Sequence, residues 1–294
     1  MKYLHFIVNP IAGKAKHHIN ASMLLPYFPK DQFRIEVSYT EYKNHAKHLA
    51  ARAAAHKADC IIACGGDGTI NEVAGEIVNT DIALGIIPVG SGNGLASNFG
   101  IPKEIAKAIA IIQKQTLSYI DVGTINEHYF FSNTGIGIDA AIIKRYERSS
   151  KRTLMAYIKA SLASSLSFKL QETIVRLNNK EINVKPFLLF VSNSNEMGYN
   201  MSLTPKASLT DGWLDVVILE KINFLEKLRM GFHVLTSSIA RFKKAKHNLV
   251  KQLEIHQPER IFTDVQIDGE YHNLKTNKIT ISLLHKSLKV IVPD

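Results

Sequence analysis

The sequence predicts a chain in two parts, an α/β half followed by a mainly antiparallel β half with helical insertions. Before Gly123, apolar β-rich runs alternate with helical patterns, and turns containing glycine or asparagine follow several of the runs. This alternation is typical of a mostly parallel sheet with helices on both faces. After Gly123, short strand candidates separated by Asn- and Gly-containing turns favour antiparallel pairing. We therefore expect two domains, 1–124 and 125–294.

Length and composition agree with two folded domains. The chain has 294 residues and is 46% hydrophobic, enough for two cores of ordinary size. No apolar run approaches the roughly 20 residues of a spanning helix, and the N-terminus turns polar too soon for a secretory signal. We expect a cytoplasmic protein, free or on a membrane surface. Cys60 and Cys64 are expected to be buried thiols, since a disulfide within one strand is unfavourable.

The elements can be placed approximately. In the first half, strands are predicted at 3–8, 33–39, 59–63 and 82–89 and around Ile120. Helices are predicted at about 15–25, 45–57, from the central glycine turn to 78, and 102–114, with Asn44 as an N-cap. The second half has a strand at 129–133, a basic helical stretch over 140–168, and strands at 172–178, 184–192, 213–219, 261–267, 278–284 and 287–292.

The turn after the third strand has the composition of a phosphate-binding loop. Gly65, Gly66 and Gly68 permit a sharp turn whose N–H groups meet an anion at a helix N-terminus. Asp67 stands apart, because a carboxylate repels phosphate unless it holds Mg²⁺ or accepts a proton. The turn therefore predicts a nucleotide together with a metal. The alternative is a Gly-rich turn in which Asp67 caps the helix through Thr69 or Ile70.

Two further turns are predicted to reach the same place. Asn9–Lys14 follows the first strand and Gly90–Gly94 follows the fourth. The first lacks the spacing of a Walker A loop, yet a lysine after a glycine turn is well placed for phosphate. Ligands of parallel sheets bind beyond the carboxyl ends of the strands. Convergence of three such turns is a more specific signal than one glycine motif.

Basic residues are concentrated in two segments. The net charge is +10, and segments 144–169 and 221–251 carry seven and eight Lys/Arg, each against one Glu. They are either solvated faces or contacts with anionic lipid or nucleic acid. In the second segment we expect an apolar stripe to pack on the β half, and a basic cluster to meet an anionic membrane. The stripe is Phe224, Leu228, Phe232, Leu235 and Ile239, and the cluster is Arg241, Lys243, Lys244 and Lys246.

With these pieces in place, the sequence resembles the diacylglycerol kinase catalytic family, which includes bacterial lipid kinases, sphingosine kinases and ceramide kinases. The matching motifs follow in order along almost the whole chain. They are Asn9-Pro10 with Gly13-Lys14, Gly65–Thr69 with Asn71-Glu72, Pro88–Asn93, Asp121–Gly123, Gly135–Asp139, Asp211-Gly212 and Asp268–Glu270.

The resemblance implies an NAD kinase- and diacylglycerol kinase-like α/β domain that binds ATP, and a β-rich domain that covers a lipid. The implied ATP-binding residues are Asn9, Pro10, Ile11, Ala12, Gly13, Lys14, Thr40, Gly65, Gly66, Asp67, Gly68, Thr69, Ile70, Asn71, Glu72, Ser91 and Asn93. Asp67, Asp121 and Glu270 align with catalytic positions, Glu270 as general base and Asp121 as a residue linked to the metal through water. Asp211, with the backbone carbonyls of Ser208 and Trp213, resembles a structural Mg²⁺ site, and the alternative is a hairpin turn at Asp211-Gly212. Asp268-Gly269 is also expected to form a hairpin turn, with arms 265–268 and 270–274, and this turn is compatible with a catalytic Glu270.

One position departs from the pattern of bacterial diacylglycerol kinases. Gly94 stands where those enzymes usually have Asp, as in the sphingosine and ceramide kinase branch. The lipid is therefore left open between diacylglycerol and a sphingoid-like alcohol. The alternative functions are an NAD kinase and a non-catalytic nucleotide- or nucleic-acid-binding module. With no zinc pattern, RNP-like strand or helix-turn-helix, we expect no nucleic-acid partner. The oligomeric state is left open between monomer and homodimer.

Overall fold

The chain divides into two compact units. The computed structural model describes residues 1–14, 17–90, 92–149, 153–196, 201–236 and 238–294. One unit comprises Met1–Val122 together with His285–Asp294, and the other is Gly123–Leu284. The predicted division at 124/125 assigns the last ten residues to the second domain, whereas in the structure they belong to the first unit. That return occurs because a strand near the C-terminus pairs with a strand of the first sheet.

The elements follow one another in this order. The strands are β1 Lys2–Val8, β2 Phe33–Tyr39, β3 Cys60–Gly65, β4 Ala83–Pro88, β5 Leu117–Ile125, β6 His128–Phe130, β7 Asn133–Gly137, β8 Thr173–Leu177, β9 Lys180–Val184, β10 Leu188–Ser192, β11 Leu214–Leu219, β12 Lys246–Val250, β13 Gln252–His256, β14 Thr263–Ile267, β15 Glu270–Leu274 and β16 Lys278–Ile291. The α-helices are α1 Ala21–Leu24, α2 His45–Ala55, α3 Asp67–Ile77, α4 Gly94–Asn98, α5 Ile105–Lys114, α6 Ile138–Glu147, α7 Leu154–Ser167 and α8 Phe224–Leu235.

The first unit is built on a parallel sheet, as the alternating pattern predicts. Its strands pair in the order β2-β1-β3-β4, followed by the last residues of β16, and all of these pairs are parallel. Every residue of β3 and β4 is buried. Strands covered by helices on both faces read as continuous apolar runs, and these two strands have that composition. The sheet supplies a rigid edge from which the glycine turns project.

The predicted helix over 15–25 is confirmed only near its end, where α1 comprises Ala21–Leu24. Residues 17–20 are not helical, and α1 begins only at Ala21, because the Asn20 side chain accepts the N–H of Met23. Pro26 then lies in a short 3₁₀ turn that ends the segment. The positions 15 and 16 lie outside the described residues. The apolar periodicity of the segment did not reveal the internal cap.

Asn44 precedes α2 as predicted, but it does not cap the helix with its side chain. Its φ is 68°, and its side chain makes no capping hydrogen bond. The Glu72 carboxylate instead accepts the N–H groups of Asn44 and Ala46, each at 3.0 Å. A carboxylate from α3 therefore satisfies the first turn of α2, which the local sequence could not indicate.

The second unit is an antiparallel β-sandwich. One sheet has the strand order β12-β11-β10-β7-β14-β15. The facing layer contains β13 paired with β8 and with the first residues of β16, while β8 pairs with β9. Side chains of both layers form one core, for example Val191 and Val216 with Val175, Ile255 and Ile281. The prediction of a mainly antiparallel β domain is confirmed.

Several strand boundaries in this unit differ from the predicted ones. The candidates at 278–284 and 287–292 are one long strand, β16. The candidate at 184–192 is divided, since β9 ends at Val184 and β10 begins at Leu188 on either side of Pro186. The basic stretch over 140–168 forms two helices, α6 and α7, rather than one. The strands β12 and β13 were not predicted.

The apolar stripe of α8 does not pack as predicted. Phe224, Leu228 and Phe232 are exposed. Met230 and Val234, on another face of the helix, pack against the core beside the six-stranded sheet. Ile239 is buried, as expected. The side chain of Leu235 is not among those that the structure describes. A four-residue spacing identifies a helical face but does not show which face meets the core.

The basic cluster is partly neutralised. Lys244 Nζ lies 2.6 Å from Glu226 Oε1, and Lys246 Nζ lies 2.8 Å from Glu220 Oε1. The four cations are therefore not four independent charges. Cys60 and Cys64 are buried free thiols, and burial raises the pKa of both. Among the described residues, no helix has both the length and the hydropathy needed to span a membrane.

Candidate active site

The strand order of the first unit creates a switch point between β1 and β3. The connection after β1 leads to β2 on one side, and the connection after β3 leads to β4 on the other. In open α/β sheets this arrangement leaves a crevice beyond the carboxyl ends of the two strands. Asn9 follows β1 and donates its N–H to Cys64 O at 2.9 Å, beside the glycine turn that follows β3. Two of the predicted turns thus begin at the crevice.

The first turn is joined to the second by side-chain contacts. Asn9 Nδ2 donates to Thr69 Oγ1 at 3.2 Å, and Asn9 Oδ1 accepts the N–H of Ile11 at 3.2 Å. Gly13 has a φ of 59°, and a Cβ at this position would overlap the carbonyl oxygen of Val89. Asn9 therefore shapes its own turn and fixes it to α3, while Gly13 brings the turn against the chain that follows β4.

Asp67 joins the second turn to the third. Its Oδ2 accepts the N–H of Asn93 at 2.8 Å, and its Oδ1 accepts the N–H of Gly94 at 2.6 Å. A Cβ on Gly92 would lie 2.6 Å from the same carboxylate. The alternative in which Asp67 caps its own helix is therefore not what the structure shows, since Gly66 is the N-cap residue of α3 and no side chain caps this helix. Asp67 holds two separate turns in place.

The third turn is closed by Asn93. Asn93 is buried and has a φ of 62°, and its side chain accepts the N–H of Gly90 at 3.1 Å and donates to Gly90 O at 2.8 Å. The backbone of Gly90 lies so close to Gly66 that a Cβ on Gly90 would overlap the Gly66 Cα. Two glycines are thus needed here because the two turns touch. The convergence of three turns is a property of the structure.

The remaining predicted nucleotide-binding residues have different surroundings. Gly66, Asp67, Gly68, Asn71 and Glu72 are half-buried, whereas Gly65, Thr69 and Ile70 are buried. Pro10 and Gly13 are exposed, Ile11 is 78% exposed, and Ala12 is half-buried. Thr40 is half-buried after β2 and donates its N–H to Val8 O at 2.9 Å. Ser91 lies outside the described residues, and the side chain of Lys14 is not described.

Asp121 is fully buried in the first unit. Its Oδ1 accepts the N–H of Lys286 at 2.7 Å and lies 2.7 Å from Nδ1 of His285. Both partners precede the last residues of β16, so the carboxylate ties β5 to the returning strand. The structure therefore gives Asp121 a role in joining two distant parts of the chain; the predicted link to a metal stays a prediction.

Glu270 follows the tip of a β-hairpin in the second unit. Asp268 and Gly269 have φ values of 46° and 80°, as both central residues of a type I′ turn require, and β14 and β15 form the two arms. The Asp268 carboxylate accepts the N–H groups of Phe131, Ser132 and Asn133 at 2.7–2.9 Å. The tip is therefore held firmly, and Glu270 is half-buried at the start of β15.

Asp211 lies in the turn that precedes β11. It is exposed, and its Oδ1 accepts the N–H of Trp213 at 3.0 Å. The Ser208 hydroxyl accepts the N–H of Thr210 at 3.3 Å in the same turn. Among the described residues, no group of three or more His, Cys, Asp or Glu side chains is placed to hold a metal. An ion in this turn would depend on backbone carbonyls, as the family resemblance implies, and this site stays a prediction.

Sequence reasoning missed three polar groups. Asp139 is buried near the start of α6, and burial raises the pKa of its carboxyl to about 7. Asp268 anchors the hairpin through its carboxylate, whereas the sequence motif indicates no such contacts. His17 Nε2 lies 3.0 Å from Asn9 O in the first turn. In the sequence, Asp139 could be found because it ends the Gly135–Asp139 motif, and the Asp268-Gly269 pair indicates the turn at Asp268. Nothing in the local sequence indicates His17.

Known protein families match both halves of the chain. Residues 3–125 match the diacylglycerol kinase catalytic domain, and residues 132–292 match the YegS C-terminal NAD kinase β-sandwich-like domain. The diacylglycerol kinase of Bacillus subtilis (strain 168) is 29% identical over 300 residues, covering 100% of this chain and 97% of that protein. The diacylglycerol kinase of Staphylococcus saprophyticus is 29% identical over 283 residues, covering 92% and 89%.

Solved structures share the fold. A diacylglycerol kinase structure from Bacillus anthracis strain Sterne superposes with a TM-score of 0.71 at 20% sequence identity, covering 99% of this chain and 97% of that chain. At this sequence identity, the structural similarity shows only that the fold is shared. The two domain matches identify the family. The chain belongs to the diacylglycerol kinase family, with a diacylglycerol kinase catalytic domain followed by a YegS-type β-sandwich domain.

Proposed function

We propose that the chain is an ATP-dependent lipid kinase that transfers the γ-phosphate to the hydroxyl of a lipid, either diacylglycerol or a sphingoid-like alcohol. The observation that carries the proposal is the junction of three turns at the carboxyl ends of β1, β3 and β4. Asp67 holds two of these turns by accepting the N–H groups of Asn93 and Gly94. Phosphoryl transfer depends mainly on positioning and charge stabilisation, which such a rigid junction supplies.

The residues of the junction suit a nucleotide. Helix α3 begins at Asp67 after the N-cap residue Gly66, and no side chain caps its first N–H groups. A phosphate at this helix N-terminus would meet those donors and the positive end of the helix dipole. Gly66 and Gly68 are half-buried and carry no side chain that would obstruct the approach. When bound, ATP with Mg²⁺ would supply the transferable phosphoryl group and neutralise its charge.

The Asp211 turn fits a structural Mg²⁺ in its donor chemistry. Mg²⁺ prefers oxygen ligands, and one aspartate with backbone carbonyls of Ser208 and Trp213 provides them. If the ion binds there, Mg²⁺ should raise the thermal midpoint of the wild type, because it binds the folded state. Asp211→Ala should lose most of that shift in differential scanning fluorimetry. Equal Mg²⁺-dependent shifts would leave a tight turn without an ion; Asp31→Ala, also exposed, is the control.

We assign the proton acceptor to Glu270 rather than Asp67. Both oxygens of Asp67 accept backbone N–H groups, so its carboxylate has a positioning role. Glu270 is half-buried beside a turn that three hydrogen bonds to Asp268 hold in place. A carboxylate on a rigid support can accept the proton of a lipid hydroxyl within hydrogen-bond reach. Glu270→Gln should then lower turnover by at least about 100-fold while ATP affinity changes little.

The proposal is tested by incubating the protein with γ-labelled ATP and a lipid panel, followed by thin-layer chromatography. The panel contains diacylglycerol, sphingosine and ceramide, and a parallel reaction contains NAD. Label in a lipid supports the proposal and identifies the acceptor; label only in NAD phosphate, or in no acceptor, contradicts it. Asp67→Asn should lower lipid phosphorylation by at least about 100-fold, since the amide cannot accept both N–H groups.

A matched control separates the role of Asp67 from a general loss of charge. Asp81 lies in the same unit and is fully exposed, so Asp81→Asn should keep wild-type activity. Circular dichroism and urea unfolding of Asp67→Asn establish whether the fold is retained. Activity of Asp67→Asn within about threefold of wild type would remove Asp67 from the site.

A further inference from the structure

Helix α8 presents an apolar face that the described residues of its own unit leave exposed. Phe224, Leu225, Leu228 and Phe232 are 58%, 74%, 48% and 64% exposed. At 3.6 residues per turn, these four positions fall within an arc of about 100° around the helix axis. They are therefore one continuous face rather than scattered surface residues. A contiguous apolar surface of this kind marks a place where another body binds.

A different side of α8 makes the contacts with the core. Met230 and Val234 pack α8 against the core beside the six-stranded sheet, and they lie on a different side of the helix. The helix start is fixed by a capping box in which Asn223 accepts the N–H of Glu226 and Glu226 accepts the N–H of Asn223. The helix is thus held from one side and at its start, and the second apolar face remains for a partner.

The surroundings of the face are basic. The segment 221–251 carries eight Lys/Arg against Glu226, whose carboxylate pairs with Lys244. Among the residues that the structure describes, the exposed side chains of Lys221, Arg229, Arg241 and Lys243 form no ion pair. A surface of this composition complements an anionic partner.

Helix α7, which contacts α8, also exposes leucine side chains. Leu162 and Leu166 of α7 are 51% and 76% exposed and stand four residues apart, on one side of that helix. Lys227 of α8 donates to the carbonyl oxygen of Ser165 at 2.7 Å, which brings the end of α7 next to α8. The two helices together offer leucine and phenylalanine side chains with cations around them.

We propose that the exposed face of α8 docks on the surface of a bilayer that contains anionic lipid. Its phenylalanine and leucine side chains enter the interface, and the surrounding cations meet the headgroups. A second copy of the chain is the less favourable occupant, because a symmetric pair would bring two like-charged surfaces together. The choice of a bilayer rests on the proposed function, since a lipid kinase meets its substrate there.

Vesicle co-sedimentation without ATP tests the proposal. Wild-type protein should bind vesicles of phosphatidylcholine with roughly one third phosphatidylglycerol, and the Phe224→Ser/Phe232→Ser variant should bind them at least about tenfold more weakly. The matched control is Ile261→Ser/Phe262→Ser, which removes two other exposed apolar side chains of the same unit, 78% and 47% exposed. The control should bind as wild type.

A second variant separates the charged from the apolar contribution. Arg229→Gln/Lys243→Gln should weaken binding to the anionic vesicles and leave the weak binding to pure phosphatidylcholine unchanged. Equal binding of wild type and the phenylalanine variant to anionic vesicles would overturn the proposal. So would light scattering that shows a wild-type dimer and a monomeric phenylalanine variant without lipid, since a second copy would then cover the face.

The vesicle-binding result and the test of lipid phosphorylation can fail independently of each other. Both variants should phosphorylate a dispersed short-chain lipid at the wild-type rate, because the altered residues lie outside the three-turn junction. Absence of lipid phosphorylation by the wild type would defeat the proposed function and leave the vesicle measurement valid. Loss of short-chain activity in the phenylalanine variant alone would show that α8 supports the fold rather than docking, which also overturns the proposal.

Discussion

Asp139 is a carboxylic acid enclosed in the second unit near the start of α6. A Cβ on Gly135 would lie 2.5 Å from Asp139 Oδ2, so this oxygen faces the backbone of β7. The same oxygen has no hydrogen-bond partner among the described residues. Burial raises the pKa of the carboxyl to about 7, and a hydrogen bond from Gln266 offsets part of that rise. Its charged form is therefore unfavourable in the folded protein.

This raised pKa predicts a stability that falls as the pH rises. Between about pH 4 and pH 7 the unfolded chain has released the Asp139 proton and the folded chain has kept it, so folding becomes less favourable with increasing pH. Asp139→Asn removes the titration. The difference in unfolding free energy, wild type minus variant, should decrease by a few kcal/mol over this range in urea titrations.

The test compares how the free energy of unfolding changes with pH in wild type and in Asp139→Asn. A pH-independent effect of the introduced amide therefore does not alter the result. Asp31→Asn, at an exposed position, should leave the wild-type slope unchanged. Parallel pH profiles for wild type and Asp139→Asn would mean that the carboxyl titrates in the folded protein as it does in the unfolded chain.

At the residue level, the sequence indicated the chemical type of the site more successfully than the hydrogen-bond partners of its residues. The types and order of residues around Asp67 predicted a phosphate-binding junction, and the turns do meet. The sequence could not show that Asp67 accepts hydrogen bonds from the N–H groups of Asn93 and Gly94, because those residues are distant along the chain. Glu72 is a similar case, since its carboxylate caps α2 rather than acting only within its own motif. Long-range hydrogen bonds leave no local signature.

Two glycines in different elements should respond oppositely to the same substitution. Gly90 touches the backbone of Gly66, so the added methyl group of Gly90→Ala would separate two turns of the site. Gly231 lies inside α8, and a Cβ there would have no atom within 4 Å. Gly90→Ala should lower the free energy of unfolding by about 1–3 kcal/mol, whereas Gly231→Ala should raise it by about 0.5–1 kcal/mol.

Chemical denaturation of both variants, together with ATP binding, checks this prediction. Gly231→Ala serves as the control for the substitution itself, and it should bind ATP as the wild type does. A Gly90→Ala variant with unchanged stability would show that the turns can separate without cost, and that their contact does not define the site.

Elements were predictable where local patterns decide them. Strands β3 and β4 are continuous apolar runs, and they form where expected. The late start of the helix predicted over 15–25 was not predictable, because the cap at Asn20 competes with the apolar pattern. The helical pattern of α8 was predictable, but the face that packs against the core was not. Two apolar faces exist, and only packing selects the one containing Met230 and Val234.

At the scale of the whole molecule, the chain returns to its first sheet. β16 pairs with β13 through Ser282, and further along the same strand Lys289 and Val290 pair in parallel with Ala83 and Leu84. Contiguous domain assignment from sequence cannot detect this return, since parallel pairing between distant segments has no local signal. The net charge is equally uneven at this scale, being concentrated in two segments of the second unit.

The return predicts that the end of the chain stabilises the first unit. Val290 is fully buried and pairs with Leu84, whereas Val292 is half-buried beyond the end of β16. Val290→Ala should lower the free energy of unfolding of the first unit by about 2 kcal/mol, through lost burial and a residual cavity. Val292→Ala is the matched control and should cost less than about 1 kcal/mol. Native-state hydrogen exchange reports the change directly, as faster exchange of the β3 and β4 amides in Val290→Ala. Identical exchange at those amides in both variants would show that the first unit is stable without its last strand.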